Sequence, residues 1–287
     1  MFDRFFSGIR NASKRSFPLF EYLVLKTETH AFCGSLAFFS TLGFYPFCQL
    51  LLLFAKNILH WSSAYNVIVS ALTEYYPAGQ TFLVRNLEWS VAQSGSGIQP
   101  QSIFWVLLGS AGFFVPMEAA FNRLWNFKTD RPYWKNQLIG FLLTCACCIL
   151  AVIFISLMAL VYSSVSNIIF WDFLARALRY LALKISALCF SVAAIFLFYK
   201  FLPNGKVPSA QVLPAAMWVG VIAEVVQWVF ALVLPYMQLP RSQGPYYVSI
   251  SFALFAYCEA FVLLGGAFLA SGAKKMPLGG TLGGGTK

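Results

Sequence analysis

Charged side chains are scarce in this chain. Only 10% of its 287 residues are Asp, Glu, Lys or Arg, whereas a soluble domain carries about 25%. Set against 59% hydrophobic residues, that shortage excludes a water-soluble globule. Acidic residues are the rarer sign: Asp3, Glu21, Glu28, Glu74, Glu88, Glu118, Asp130, Asp172, Glu224 and Glu259. They are scattered along the whole chain, and only His30 and His60 accompany them. Metal-assisted phosphodiester cleavage needs carboxylates or histidines clustered in water beside the phosphate. A nuclease is therefore not expected, and no residue stands out as catalytic. No Gly-x-x-x-x-Gly-Lys run is present to cradle nucleotide phosphates, which excludes ATP-driven work by this chain alone. The ten-residue alternation of a transmembrane β-barrel is missing as well. The basic N-terminus has no short apolar core with a cleavage site after it, so no cleavable signal peptide is expected.

The seven cysteines (Cys33, Cys48, Cys145, Cys147, Cys148, Cys189 and Cys258) all fall inside apolar runs. There cysteine behaves as a small hydrophobe, and no disulfide is expected. The Cys145-Ala-Cys147-Cys148 cluster has no histidine near it in sequence, so it reads as packing rather than a metal site. No cofactor is expected.

What the chain has in quantity is long apolar sequence. Six runs can be marked, at about 31–55, 102–121, 137–162, 180–201, 209–234 and 246–270. Each is long enough to cross a ~30 Å hydrocarbon core as a helix. The fold class is all-α: a polytopic membrane protein built as a six-transmembrane-helix bundle. Residues 1–30 mix Phe17, Leu19, Phe20, Leu23 and Val24 with Glu21, Lys26 and Glu28, and read as an amphipathic helix on the cytoplasmic leaflet. Residues 31–275 form the transmembrane domain. Between spans one and two, 64–75 and 80–91 read as amphipathic helices on the outer surface. Residues 276–287 are a Gly-rich tail expected to be disordered.

Net charge is +10, and its distribution reports topology. With the N-terminus inside, fourteen of the twenty basic residues fall on the cytoplasmic side and six outside, as the positive-inside rule demands. The expected arrangement is multi-pass, with both termini cytoplasmic. The expected partners are membrane lipids with anionic headgroups; no nucleic acid is expected, and homo-oligomerisation is left open.

Two polar constellations interrupt the apolar runs. The first is the central loop Glu118–Lys135, EAAFNRLWNFKTDRPYWK. Glu118, Asn122 and Trp125 recur at helical spacing, and Asp130 with Arg131-Pro132 is expected to break the helix. Trp125, Tyr133 and Trp134 suit headgroup depth as membrane anchors. Arg123, Arg131 and Lys135 would bind phosphate groups there, unless Glu118 and Asp130 neutralise them as structural pairs. The second is Glu224 with Gln227 on span five and Glu259 on span six, at similar depth near the bilayer centre. An ionised carboxylate facing lipid costs about 2.5 kcal/mol or more, so both must face the interior. No Lys or Arg is expected at that depth, Lys184 and Lys200 being assigned to the ends of span four. The pair either lines a cavity, exchanging protons or contacting a polar substrate group, or is held by Gln227 and backbone carbonyls. Between spans four and five, Leu202-Pro203-Asn204-Gly205-Lys206-Val207-Pro208 is a tight turn that makes those spans antiparallel neighbours.

Three ordered motifs carry a family resemblance: Leu36-Ala37-Phe38-Phe39-Ser40 up to Pro46, Asn122-Arg123-Leu124-Trp125 up to Arg131-Pro132-Tyr133-Trp134-Lys135, and Tyr199-Lys200-Phe201-Leu202-Pro203-Asn204. Over about residues 20–272 the chain resembles the YihY/BrkB family of bacterial inner-membrane proteins, an older label for which is ribonuclease BN. The resemblance implies six spans and associations with serum resistance, envelope integrity and export of lipid precursors. The family's last helix usually ends in Gly-Ala-Glu, where this chain has Gly266-Ala267-Phe268, so no role for a terminal glutamate carries over. The function expected is transport or flipping of lipid or another amphiphilic anionic envelope substrate. The alternative is a structural, envelope-integrity protein without transport. Neither is an enzyme.

Overall fold

The structure, a computed structural model, describes residues 19–57, 69, 85, 87, 89, 91–92, 100–128, 131–168, 172–243 and 246–272. Among these, six long helices carry the chain: α1 Thr27–Asn57, α2 Pro100–Leu124, α3 Tyr133–Ile168, α4 Asp172–Phe201, α5 Ser209–Val233 and α6 Tyr247–Ser271. Helices are what such apolar sequence must form, because lipid offers the backbone no hydrogen-bond partner. Pro46, Pro116 and Pro214 sit inside α1, α2 and α5 without ending them.

Stretches long and apolar enough to cross a membrane lie at Thr27–Gln49, Tyr133–Phe154, Tyr180–Phe201, Ser209–Met237 and Tyr247–Ser271. The described residues thus support five crossings. The sixth expected one, α2, has a span's length but is not among them. Its last two turns hold Glu118, Asn122 and Arg123.

Several boundaries differ from the sequence reading. The helix expected to break at Asp130–Pro132 ends at Leu124. Its C-terminus is closed by Asn126 in the left-handed region (φ 56°), with Asn126 N–H donating to Arg123 O and Phe127 N–H to Asn122 O. These are the two bonds of a Schellman cap, which an asparagine can occupy because its short side chain tolerates positive φ. Pro132 instead opens α3, its carbonyl accepting from Lys135 N–H. α3 reaches Ile168 and α4 begins at Asp172, so both helices extend beyond the apolar runs 137–162 and 180–201. Asp130, the tail from 276 and most of 64–91 lie outside the described residues. Within 80–91, Leu87 and Val91 are helical and buried against Cys48, Leu52 and Leu53 of α1.

The helices close into a ring in which each packs on its sequence neighbours and α6 packs back on α1. Small residues set the spacing: a Cβ on Gly109 of α2 would come within 2.7 Å of Gly43 Cα on α1. Backbones in contact are the usual way membrane helices gain packing where the hydrophobic effect is absent. The end of the ring holding Thr27, Leu124, Tyr133, Phe201, Ser209 and Ser271 is here termed the base. Most of the core lies there, around Leu36, Met117, Phe121, Tyr199, Leu202, Val212 and Leu264.

At the base the chain enters through a π-helical turn, Glu21–Leu25, joined to α1 by extended Lys26. α1 therefore starts within the segment expected to lie on the leaflet. Tyr22 is 3% exposed and stacks on Phe268 of α6, ring centroids 5.0 Å apart. Leu19 and Leu23 lie over Gly265, while Phe20, Val24 and Leu25 face outward. The entry turn is docked on protein by one face and apolar on the other.

Candidate functional site

Among the described residues, two groups of charged and polar side chains stand out in the apolar bundle, one at the base and one toward the far end. The base group starts from Glu118, 4% exposed on α2. Asn122, one turn later, donates from Nδ2 to Glu118 Oε1 at 3.2 Å. Its Oδ1 accepts from the backbone N–H of Asn204 at 2.7 Å, tying α2 to the turn between α4 and α5. Arg131 Nη1 and Nη2 donate to the carbonyls of Leu202 (3.3 Å) and Pro203 (2.7 Å) in that same turn. A guanidinium suits the site because its planar fork reaches two acceptors at once and favours the negative end of a helix. Lys200 Nζ donates to Val207 O at 2.6 Å and closes the turn from the other side. Gly205 leaves the space that the ring of Phe127 fills.

The three cations read as one anion site therefore have three different partners. Arg123 pairs with Glu28 of α1 and lies over the Phe32 ring; Arg131 binds turn carbonyls; Lys135 is exposed beside its neighbour Trp134. Tyr133 and Trp134 are exposed, at 72% and 62%, at the start of α3. Trp125 is not placed with them. It packs inside the base against Phe121 and Tyr199, at 5.7 Å and 6.0 Å between centroids. Tyr199, fully buried, also donates to Leu263 O on α6 at 2.5 Å.

Toward the far end, Lys184 on α4 lies 3.8 Å from a carboxylate oxygen of Glu224 on α5, each side chain about one-fifth exposed. The expectation of no cation near Glu224 is thus corrected. Lys184 and Glu224 each stand twenty residues from Asn204, so the antiparallel hairpin brings them level. Lys184 Nζ also lies 5.4 Å from the Trp228 ring centroid and 6.0 Å from that of Tyr180. Glu259 on α6 is within Coulombic range of Glu224, and its Oε1 is buried without a hydrogen-bond partner among the described residues. Gln227 is half-buried on α5. Lys184, Trp228, Tyr199 and Asn204 are the participants that sequence reasoning missed. The symmetry of spans four and five about their turn was the available signal for Lys184.

The family described as "Virulence factor BrkB" matches residues 24–278. The chain belongs to the BrkB virulence-factor family. Neither a curated protein nor a solved structure matches it. Membership and five apolar crossings make this BrkB-family chain an integral, multi-pass membrane protein. Two of the three motifs that suggested the family meet at the base: the Asn122–Arg131 loop is bonded to the Leu202–Asn204 turn.

Proposed function

We propose that this BrkB-family chain is a transporter or flippase that moves lipid or another amphiphilic anionic envelope substrate across a bacterial inner membrane, with its base and both termini cytoplasmic. The observation that carries the reading is the Lys184–Glu224–Glu259 group inside helices apolar enough to cross the bilayer. Ionisable side chains within membrane-spanning segments are rare, and where they occur they mark substrate or ion pathways by default. Exposed Lys128, Lys135 and Lys206, with Tyr133 and Trp134, suit the base to anionic headgroups. The reading is non-enzymatic and needs no nucleotide.

Proteoliposomes with a fluorescent phosphatidylglycerol and an external quencher test it. The wild-type chain should accelerate transbilayer movement over empty vesicles, and the Glu224→Gln, Glu259→Gln double variant should lose the acceleration. No acceleration, or an unaffected double variant, overturns the reading. A second reading, a structural envelope protein, is favoured by the base, where Arg123, Arg131 and Lys200 are used as internal ties. It predicts no movement by any form of the protein.

A further inference from the structure

On α4 and α5, four side chains form a box in which Tyr180 and Lys184, one turn apart, face Glu224 and Trp228, also one turn apart. The two helices are held close just below it. A Cβ on Gly220 would come within 2.6 Å of Val192 Cγ2, so the helix axes approach tightly there and the longer side chains above fill the seam. At 1.5 Å per residue, Lys184 stands about 26 Å above Phe201 along α4, and Trp228 about 28 Å above Ser209 along α5. On α4 the box lies at the far end of the apolar stretch Tyr180–Phe201, toward the boundary of the leaflet opposite the base, where Trp and Tyr gather at the headgroups. Tyr180 and Trp228 are open to the surroundings, at 42% and 52% exposure. So the box is reached laterally, from lipid.

We propose that this box is a headgroup site for a zwitterionic, ammonium-bearing phospholipid, with Lys184 taking the phosphate and Glu224, backed by Trp228, taking the ammonium. A cation and an anion 3.8 Å apart are complementary to a phosphate and an ammonium joined by a short linker. Trp228 supplies an indole face, the best aromatic partner for an ammonium. A lipid with one net negative charge offers the phosphate without the ammonium and leaves Glu224 unanswered. The site goes beyond the transport reading, since a lipid can be held here whether or not it crosses.

Native mass spectrometry of the detergent-purified full chain tests the site, with phosphatidylethanolamine and phosphatidylglycerol as the two probes. The expected result is an ethanolamine-lipid adduct about 10-fold tighter than the glycerol-lipid one. Lys184→Met and Glu224→Gln should each erase that preference. Trp228→Leu, on an exposed residue whose replacement leaves the helix seam intact, should weaken the ethanolamine adduct about 5-fold. Equal binding of the two lipids, or a preference unmoved by Trp228→Leu, overturns the proposal. A retained ethanolamine preference in a protein that moves no lipid upholds this site and sinks the transport reading. Transport without the preference does the reverse.

Discussion

Asn204 donates its backbone N–H to Oδ1 of Asn122, 82 residues earlier, at 2.7 Å. One amide side chain thereby joins the end of α2 to the α4–α5 turn, while its other end holds buried Glu118. Asn122→Ala removes an acceptor and a donor from a half-buried place. The loss should be about 1–3 kcal/mol, the usual range when a buried polar partner is left unsatisfied. Chemical unfolding in mixed micelles reads it. A midpoint equal to wild type would show that the tie carries no weight.

Arg131 tests whether the base is a binding surface or a brace. Its Nη1 and Nη2 donate to the Leu202 and Pro203 carbonyls, so Arg131→Ala should lower stability by roughly 2 kcal/mol, and Arg131→Lys by about half as much. Anionic-lipid binding, normalised to folded protein, should stay unchanged in both. Weaker lipid binding with an unmoved unfolding midpoint would return Arg131 to the role of anion ligand.

How much of this was legible beforehand follows from range. The helices were readable, because apolar length and backbone satisfaction in lipid are local matters; α5 and α6 fall within a few residues of expectation. So was the antiparallel hairpin of spans four and five. The partners were not readable. Arg131 looks like a free cation until a turn some seventy residues later brings carbonyls to it. Trp125 looks like a membrane anchor until Tyr199 and Phe121 enclose it. The break at Asn126 was missed because a proline six residues later gave the louder local signal, whereas the asparagine cap is supported by Phe127 packing over Gly205.

Glycine positions on α1 and α2 separate close packing from mere helical content. Gly109→Ala sets a methyl group against the Gly43 backbone at 2.7 Å, which no rotamer can relieve. Overpacking of this kind typically costs 1–3 kcal/mol. Gly34, on the same bundle, has nothing within 4 Å of an added Cβ. Gly34→Ala should be neutral or raise stability by up to about 1 kcal/mol through helix propensity. Equal effects of the two substitutions would show that α1 and α2 do not approach as closely as described.

The docked entry turn should release at high pH. Burial pushes the Tyr22 phenol up from its ordinary range, outweighing the side-chain hydrogen bond with Thr29 that acts the other way. A raised acid favours the folded, protonated form below the unfolded pKa of about 10 and loses that contribution as pH climbs above it. Proteolysis at the entry turn should thus be slow at pH 8 and accelerate beyond about pH 10. Tyr22→Phe keeps the stack on Phe268, lacks the ionisable group, and should flatten the profile. Identical profiles for the two proteins would rule out the phenol as the cause.

The Lys184–Glu224 pair distinguishes structural glue from function. Each side chain is about one-fifth exposed, and the pair lies inside helices that cross the bilayer. Removing one partner of such a pair leaves a charge without its counterion and costs about 3–5 kcal/mol in buried sites, whereas replacing both by apolar residues of similar size is often neutral or stabilising. Lys184→Met and Glu224→Leu alone should therefore each lower the unfolding midpoint, and the double variant should recover most of the loss. The recovery is the informative part. A bundle that folds as well without the pair has no structural need for two charges within its spans, so their presence calls for another cause. If the stable double variant also fails to bind or move lipid, that cause is the ligand. A double variant no more stable than the worse single one would instead mean that Lys184 and Glu224 act independently, and the coupling argued from their 3.8 Å separation would fall.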